Sequence, residues 1–540
     1  MRHTLWRPAL LLAMLAVVAS ACTSAVRTQS GPGGAADVLR VATGQFDNLN
    51  TVLSGGGSST YLSYIWGAYL LDADDKNQVQ PELATEIPTV ANGGISKDGL
   101  TITFHLRHGV RWQDGVPFDA NDVVFTWRLI MDPRTNVVTR LGYDKVASMT
   151  AVDPYTVRVR LKERFAPAVV SLFGPGEVPM PVLPRHLLAT VPDINKAAYN
   201  DKPVGTGAFT IEHYDAATGV TLLANRDYWR GPPKLRRLDF VIVSDANTVL
   251  VMLRTGELDA ARVVGEHALE LSKAPGLRVI HQAAPEDLYL SFNTKHPPLD
   301  DVRVRRAIAM GVDRAFFLRA FQYGWGALAA TDQPPYSPWN DPHAVMPPYD
   351  VAAAGRMLDA AGWHLDASGY RSKNGKRLSL EFAYITQRQP DVKFAPFFAN
   401  EMKTIGVALT LKPYEYNLYY AQKAVGGILE GGKYDIALTG WVLGADPDDS
   451  TLWMCDQEPP YGYNTSFYCD PRIDAAEHEA LQSYDFAARR AAYWKVQELL
   501  AEDVPAVFLT WVDNSYVVRD SVQDFNPGEN FYGSWGWRKL

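Results

Sequence analysis

The chain has 540 residues, 47% of them apolar and 21% charged, and carries a formal net charge of −8. That composition is ordinary for a globular protein and excludes fibrous and disordered classes. An acidic chain without a basic tract argues against nucleic acid as a partner.

Arg2 and Arg7 make a basic start, and residues 9–19 form an apolar run of signal-peptide length, too short to cross a bilayer. The run ends in Ala19-Ser20-Ala21-Cys22, which resembles a lipobox, so residues 1–21 are expected to be removed and Cys22 to carry lipid. Ordinary secretion is the alternative. Burying acyl chains at about 0.8 kcal/mol per methylene would make such an anchor permanent. Losing Arg2 and Arg7 takes the net charge from −8 to −10. Residues 22–36 contain nothing that could form a core and read as a tether spanning on the order of 20 Å. No later apolar run approaches the roughly 20 residues of a membrane span.

Residues 38–43 are expected as an opening strand, followed by a Gly- and Ser-rich loop at 55–59 and a helix at 59–71. In 98–133, Leu100, Ile102, Phe104 and Leu106 alternate with Thr101, Thr103, His105 and Arg107, the pattern of a half-buried strand. Asp114-Gly115 supplies turn chemistry, and Asp119 stands as N-cap to a helix carrying Val123, Trp127, Ile130 and Met131. PELATEIP at 81–88 and DPYTVRVRLKE at 153–163 complete an α+β insertion over 72–203.

Three strand-like runs follow at 203–215, 219–229 and 236–245, then a helix at 247–255 stopped by Gly256. From about residue 285 strands and helices alternate: a strand at 288–294, helices capped by Asp300/Asp301, Asp313 and Asp350, strands at 377–386, 406–416 and 434–441, and long helices at 471–482 and 486–502. PAVFLTWVD at 505–513 and a Trp-rich tail finish the chain. This alternation predicts a mainly parallel sheet covered on both faces. The expected architecture is α/β and two-lobed: lobe I from 37–71, 204–284 and 506–540, enlarged by the insertion at 72–203, and lobe II from 285–505, with a ligand cleft between them.

There is no G-x-S-x-G elbow, P-loop or H-E-x-x-H, so no catalytic residue, metal ligand or cofactor is assigned and the chain is not read as an enzyme. With Cys22 assigned to lipid, Cys455 and Cys469 remain as a pair in an oxidising compartment. A disulfide is expected, worth about 3 kcal/mol for a loop of that length, with two free thiols as the alternative. In open α/β lobes ligands sit outside the carboxyl ends of strands. GWVLGADPDD, following the strand at 434–441, should therefore emerge at the cleft, with the flat face and N–H of Trp441 available for packing. Phe46 and Asn48 follow the first strand, Tyr416 ends another, Tyr463 and Asn464 lie between the two cysteines, and Tyr336 lies in a Pro-rich lip. All are ligand-binding candidates, with packing as the alternative. Asp119, Asn121 and Trp127 read as structural.

GVRWQDGVPFDANDVVFTWRLI at 109–130 closely resembles the signature of the extracytoplasmic solute-binding proteins of family 5, the oligopeptide/dipeptide/nickel group that serves ABC importers. The resemblance implies a periplasmic-binding-protein-like fold of type II. It implies a lipid-anchored, monomeric receptor outside the cytoplasm that captures a small solute, most naturally a peptide, and hands it to a permease. Alternatives are a metal chelate, haem or oligosaccharide as ligand, or a permease-free sensor or chaperone lipoprotein. A hydrolase would need a hidden nucleophile–base pair. In peptide-binding relatives an aspartate three residues after the tryptophan pairs with the peptide amino group; here that position is Gly444, and Asp446 aligns with the acidic residue preceding the loop proline. Arg388, in TQRQP, resembles the carboxylate-binding arginine of dipeptide-binding relatives, where a bidentate guanidinium suits a carboxylate.

Overall fold

The structure, a computed structural model, describes residues 36–176, 178–528 and 530–540. The signal peptide, Cys22 and nearly all of the tether lie outside the described residues. Among those residues no helix is long and apolar enough to cross a membrane.

One mixed sheet runs through both lobes. Its strand order is Ala408–Tyr414, Ser379–Ile385, Ile436–Val442, Leu277–Phe292, Ala506–Arg519, Ala260–Arg262, Val38–Thr43, Arg237–Ile242, Gly219–Ala224 and Phe209–Asp215. The mainly parallel sheet expected from the sequence is thus corrected. Val38–Thr43 is parallel to both neighbours, and Ser379–Ile385 to both of its own, but the centre is antiparallel. The reason lies in the crossing. Leu277–Phe292 carries the chain out of the first lobe, Ala506–Arg519 brings it back, and an outgoing and a returning strand side by side must be antiparallel.

The ladder these two strands share shifts register twice, between Leu288 and Tyr289 and, over a longer stretch, between Ala283 and Asp287. Pro285 sits there. Proline has no N–H for a ladder and is tolerated inside a sheet only where pairing lapses. The carbonyls freed by the lapse are taken up by second-lobe loops: the Tyr336 hydroxyl donates to Ala284 O at 3.0 Å, and Leu443 N–H donates to Pro285 O at 2.8 Å.

The second lobe has its own apolar core, in which Leu290, Phe292, Ile308, Phe382, Phe394 and Phe398 are buried together. Its helices Val302–Met310, Arg314–Phe321 and Val351–Ala360 are capped by Asp301, Asp313 and Asp350, each accepting a first-turn N–H. The insertion builds a separate core around the three-stranded sheet of Thr101–His105, Thr156–Leu161 and Val146–Asp153.

The 109–130 signature explains how that insertion is fastened. Asp119 caps Ala120–Met131 in a reciprocal box with Asp122. Asp122, buried, also accepts from Trp112 Nε1 at 3.1 Å and Arg185 N–H at 3.0 Å, and burial pushes its carboxyl up. Gly115 occupies the left-handed region at φ +90° and closes the turn in which Gly115 N–H donates to Trp112 O. Gln113 then sews the insertion to the first lobe. Its Nε2 bonds Trp66 O at 3.1 Å and Phe209 O at 2.9 Å, while its Oε1 accepts from Gly205 N–H at 3.0 Å. The signature is a structural clasp.

Candidate functional site

The strand Ile436–Val442 runs out of the sheet into the loop Leu443–Asp449, and three cavities meet on that loop. The first, about 260 Å³, lies between Val442–Ala445 and the first-lobe residues Gly57, Tyr61 and Tyr64, with Pro175 of the insertion alongside. The second, about 390 Å³, lies between Gly444, Asp446 and Tyr463 on one side and Leu141 and Phe165 of the insertion on the other. The third, about 470 Å³, is bounded by Leu443–Pro447, Tyr336 and Trp339, with Asn77 and Gln78 of a first-lobe hairpin closing it. The second and third fall within the roughly 300–1,000 Å³ of small-ligand pockets and the first just below it. The lobes also touch directly, through Ala445 N–H to Pro175 O at 2.9 Å and Tyr484 OH to Gly99 O at 3.0 Å.

Gly444 lines all three cavities. Asp446 lines two but is already committed: Arg489 grips it with Nη1 at 2.7 Å and Nη2 at 2.6 Å, both side chains more than 90% buried. Burial works against the Arg489 charge, but Asp446 more than offsets it and holds the guanidinium above its usual range. Asp446 Oδ1 also accepts from Asp448 N–H at 3.1 Å, so the pair fixes the shape of the loop. A ligand ammonium would compete with Arg489 for this carboxylate.

Trp441 stands behind the loop. Its N–H bonds Asp287 Oδ1 at 2.9 Å, its ring packs on Tyr463 with centroids 5.0 Å apart, and its indole Nε1, buried, has no protein partner. Asp287 is itself buried, and desolvation pushes its carboxyl well up. Tyr463, half exposed, lines the second cavity, and Tyr336 the third.

Other candidates are placed elsewhere. Phe46 is buried in the first-lobe core against Tyr214, since the chain turns inward after its opening strand. Asn48 uses its Oδ1 to accept Asn50 N–H at 2.8 Å in that turn. Asn464 is fully buried. Its Nδ2 donates to Met454 O at 3.0 Å and Tyr468 O at 2.7 Å and its Oδ1 accepts from Ser466, so it braces the segment closed by the Cys455–Cys469 disulfide. Arg388 and Tyr416 lie together at the ends of two neighbouring strands, away from the 443–449 loop. Arg388 lines a fourth interlobe cavity of about 470 Å³ with Arg262, Glu266 and Tyr323, and its Nε lies 3.8 Å from Asp391 Oδ2. Burial lifts Asp391 to about 6 although Arg388 opposes the shift. Tyr416 is half exposed and packs on Tyr420.

Leu141, Phe165, Tyr61 and Tyr64 have no counterpart among the sequence candidates. Nothing in the sequence marks them, because they meet the loop only through the docking of the insertion and first lobe. A second unforeseen feature underlies the loop: Asp332, Asp449 and Glu477 are buried against one another, and burial raises all three, Glu477 to about 8. Carboxyls so placed must share protons. Among the described residues no group of His, Cys, Asp and Glu has the arrangement of a metal site.

The sequence model of the family described as bacterial extracellular solute-binding proteins, family 5, matches residues 78–463. Protein XP55 of Streptomyces lividans is 30% identical over 453 residues, 84% of this chain and 79% of its own length. Di/tripeptide-binding protein 1 of Pseudomonas aeruginosa is 29% identical over 459 residues, 80% and 81% of the two chains. Among solved structures, the ABC transporter substrate-binding protein CtaP of Listeria monocytogenes superposes with a TM-score of 0.82 at 24% identity, over 94% of this chain and all of that one.

Proposed function

The chain belongs to the bacterial extracellular solute-binding proteins of family 5, which act outside the cytoplasm, and from that premise we propose that it captures a peptide between its lobes and delivers it to an ABC permease. It does so as a monomer held to the membrane by lipid on Cys22 and performs no bond chemistry. The lobes, 37–71, 204–284 and 506–540 with the insertion 72–203 on one side and 285–505 on the other, turn on the unpaired stretch at Pro285. A ligand touching both lobes binds the closed form more tightly, so occupancy shifts the open–closed balance that a permease reads.

The observation that carries this reading is the loop Val442–Asp446, on which three cavities converge, each with a facing wall from the first lobe or its insertion. The Trp441 indole Nε1–H, buried behind the loop, has no protein partner. Relatives named for di- and tripeptides support the peptide class. Arg388, in its separate cavity, is proposed as the partner of a carboxylate at the ligand's far end.

Native mass spectrometry of the secreted chain purified without refolding tests this reading. A stoichiometric peptide released on denaturation is the expected result. A sugar, a metal chelate or haem in its place would overturn the peptide assignment, and turnover of a bound compound would overturn the non-enzymatic one.

A further inference from the structure

The second lobe meets the insertion again at a corner where helix Pro471–Gln482 ends and helix Phe486–Asp503 begins. The corner is held by its own residues. Asp485 caps the second helix by accepting Ala488 N–H at 2.8 Å, and Ser483 Oγ accepts Asp485 N–H at 3.3 Å. Leu481 and Tyr484 belong to the second lobe, yet both pack against the core of the insertion. The Tyr484 hydroxyl lies 3.0 Å from Gly99 O and 3.3 Å from Phe165 O, so one proton serves two carbonyls. Ala166 N–H donates to Leu481 O at 2.6 Å. The seat leaves no room to spare: a Cβ at Gly99 would stand 3.0 Å from the Tyr484 ring, and Arg164, bonded through Nε to Asp98 O at 2.8 Å, closes the side. Neither Leu481 nor Tyr484 lines any of the four interlobe cavities described above.

Arg489 joins this corner to the 443–449 loop. The guanidinium that grips Asp446 through Nη1 and Nη2 also donates from Nε to Ala480 O at 3.1 Å, one residue before Leu481. Ala480, Arg489 and Asp446 are all buried, so water does not compete for these bonds. The loop touches the insertion through Ala445 N–H and Pro175 O at 2.9 Å, and the corner touches it through Leu481 and Tyr484. Two contacts with the insertion thus hang on one buried side chain, and the pieces that make them move as one body.

We propose that the corner at Leu481–Tyr484 is a latch that sets the open–closed balance of the lobes from outside the ligand space, with Arg489 coupling it to the 443–449 loop. The proposal rests on the lobe closure read above, and it holds whatever the ligand is. When the lobes part, the Tyr484 ring leaves the insertion core for water, its hydroxyl loses two acceptors, and Ala166 N–H loses Leu481 O. When they close, all three are regained at once with no ligand atom involved. A change at Tyr484 therefore shifts the population of the closed form, and with it the affinity for every ligand alike. Loss of one hydroxyl bond changes the closed-to-open ratio by about 5-fold, and loss of the ring as well by roughly 10-fold or more.

Two backbone amides report the state of the latch directly, because each donates across the lobes: Ala166 to Leu481 O and Ala445 to Pro175 O. The test is hydrogen exchange of the ligand-free mature chain, read at single residues by mass spectrometry. Leu443 N–H, bonded to Pro285 O within the second lobe, is the control. Tyr484→Phe should speed exchange at Ala166 and Ala445 together by about 5-fold. Tyr484→Ala should speed both by roughly 10-fold or more, and Leu443 should not change in either variant. Acceleration at Ala166 alone would mean a local loosening of the corner and would overturn the latch, leaving lobe closure standing. Unchanged exchange at both amides in both variants would overturn it equally. Wild-type amides at 166 and 445 that open only with global unfolding in urea would overturn lobe closure itself, and the latch would fall with it.

Discussion

Replacing Arg489 by methionine isolates the interaction that shapes the 443–449 loop. Arg489, on the helix Phe486–Asp503, holds Asp446 through two bonds of 2.6 and 2.7 Å. It also reaches Ala480 O at 3.1 Å and the Tyr493 hydroxyl at 3.2 Å. Methionine keeps most of the apolar stem but strands the Asp446 carboxylate, whose side chain is 7% exposed. Removing one partner of a buried ion pair costs about 3–5 kcal/mol, chiefly because the remaining charge is left uncompensated. At roughly 2–4 °C per kcal/mol for a unit of lobe size, the melting midpoint should fall by roughly 6–20 °C. Asp446→Asn in the same chain removes the stranded charge, so the double variant should recover most of that stability. Peptide affinity, measured by calorimetry, should stay depressed in both variants, because Asp446 Oδ1 no longer holds Asp448 N–H as a carboxylate fixed by Arg489. A single variant melting within 2 °C of wild type, or a double variant no more stable than the single, would refute the reasoning.

Glu477, raised to about 8 from an ordinary 4.5 by burial, keeps its proton in the folded chain where the unfolded chain releases it. Stability contributed by that proton is complete below about pH 4.5 and is lost as pH rises toward 8, by on the order of 5 kcal/mol over the window. Glu477→Gln should flatten that fall in urea titrations between pH 5 and 9, and a slope unchanged from wild type would remove Glu477 as its source. Converting both Cys455 and Cys469 to serine should cost about 3 kcal/mol by the chain-entropy account of a bridge across 14 positions. Amide exchange over 456–468 should accelerate, and unaltered exchange would mean that Asn464 alone orders the segment. Gly444→Asp places a carboxylate where three cavities meet. Affinity for a peptide with a free amino terminus should rise about 10-fold over its N-acetylated twin, the worth of a charge-assisted bond near 1.5 kcal/mol. An equal change for both peptides would place the ligand amino end elsewhere.

The sequence was most informative where one segment's pattern settles its own structure. Val38–Thr43, the helices begun by Asp301, Asp313 and Asp350, and the N-cap at Asp119 follow from local spacing alone. The helix expected at 59–71 spans Gly57–Trp66 instead. Gly67 breaks it in an extended conformation so that Leu71–Ala73 can pair as a strand, and a Cβ at Gly67 would stand 2.7 Å from Ser63 O. The strand expected at 288–294 coincides only with the Leu288–Phe292 end of Leu277–Phe292. Pro285 reads as a terminator, yet Leu277–Phe292 passes through it, because the break is a lapse in pairing between two long strands and not an end. The parallel sheet failed for a similar reason: direction at the centre is decided by which way the chain crosses between lobes. Trp441, Gly444 and Tyr463 could be picked out from strand ends and the cysteine pair. Leu141 and Phe165 could not, since only the docking of a remote insertion brings them opposite.

The crossing also limits what can hold the lobes together. Two strands alone pass between them, and where the ladder lapses the exposed carbonyls of Ala284 and Pro285 are bound by Tyr336 and Leu443, residues flanking the ligand space. Direct contacts elsewhere include Ala445 to Pro175, Ala166 to Leu481, Tyr484 to Gly99 and Phe165, Tyr323 to Glu266, and the exposed Lys393–Glu266 pair at 2.9 Å. A neutral hydrogen bond contributes about 1 kcal/mol and a surface ion pair 0–1, so these contacts favour closure by only a few kcal/mol before the entropy of restricting two bodies is charged against them. Moving such a balance from 1:99 to 99:1 requires about 5.5 kcal/mol of preference for the closed form. One well-buried Leu or Phe side chain supplies about 1.5–3 kcal/mol. On the proposed reading, two or three ligand bonds to the 442–446 backbone, at about 1 kcal/mol each, would fall short of that figure, and one apolar side chain buried between the lobes as well would bring the sum to it. On that reading a ligand that bonded the loop without burying an apolar side chain between the lobes would leave the receptor open.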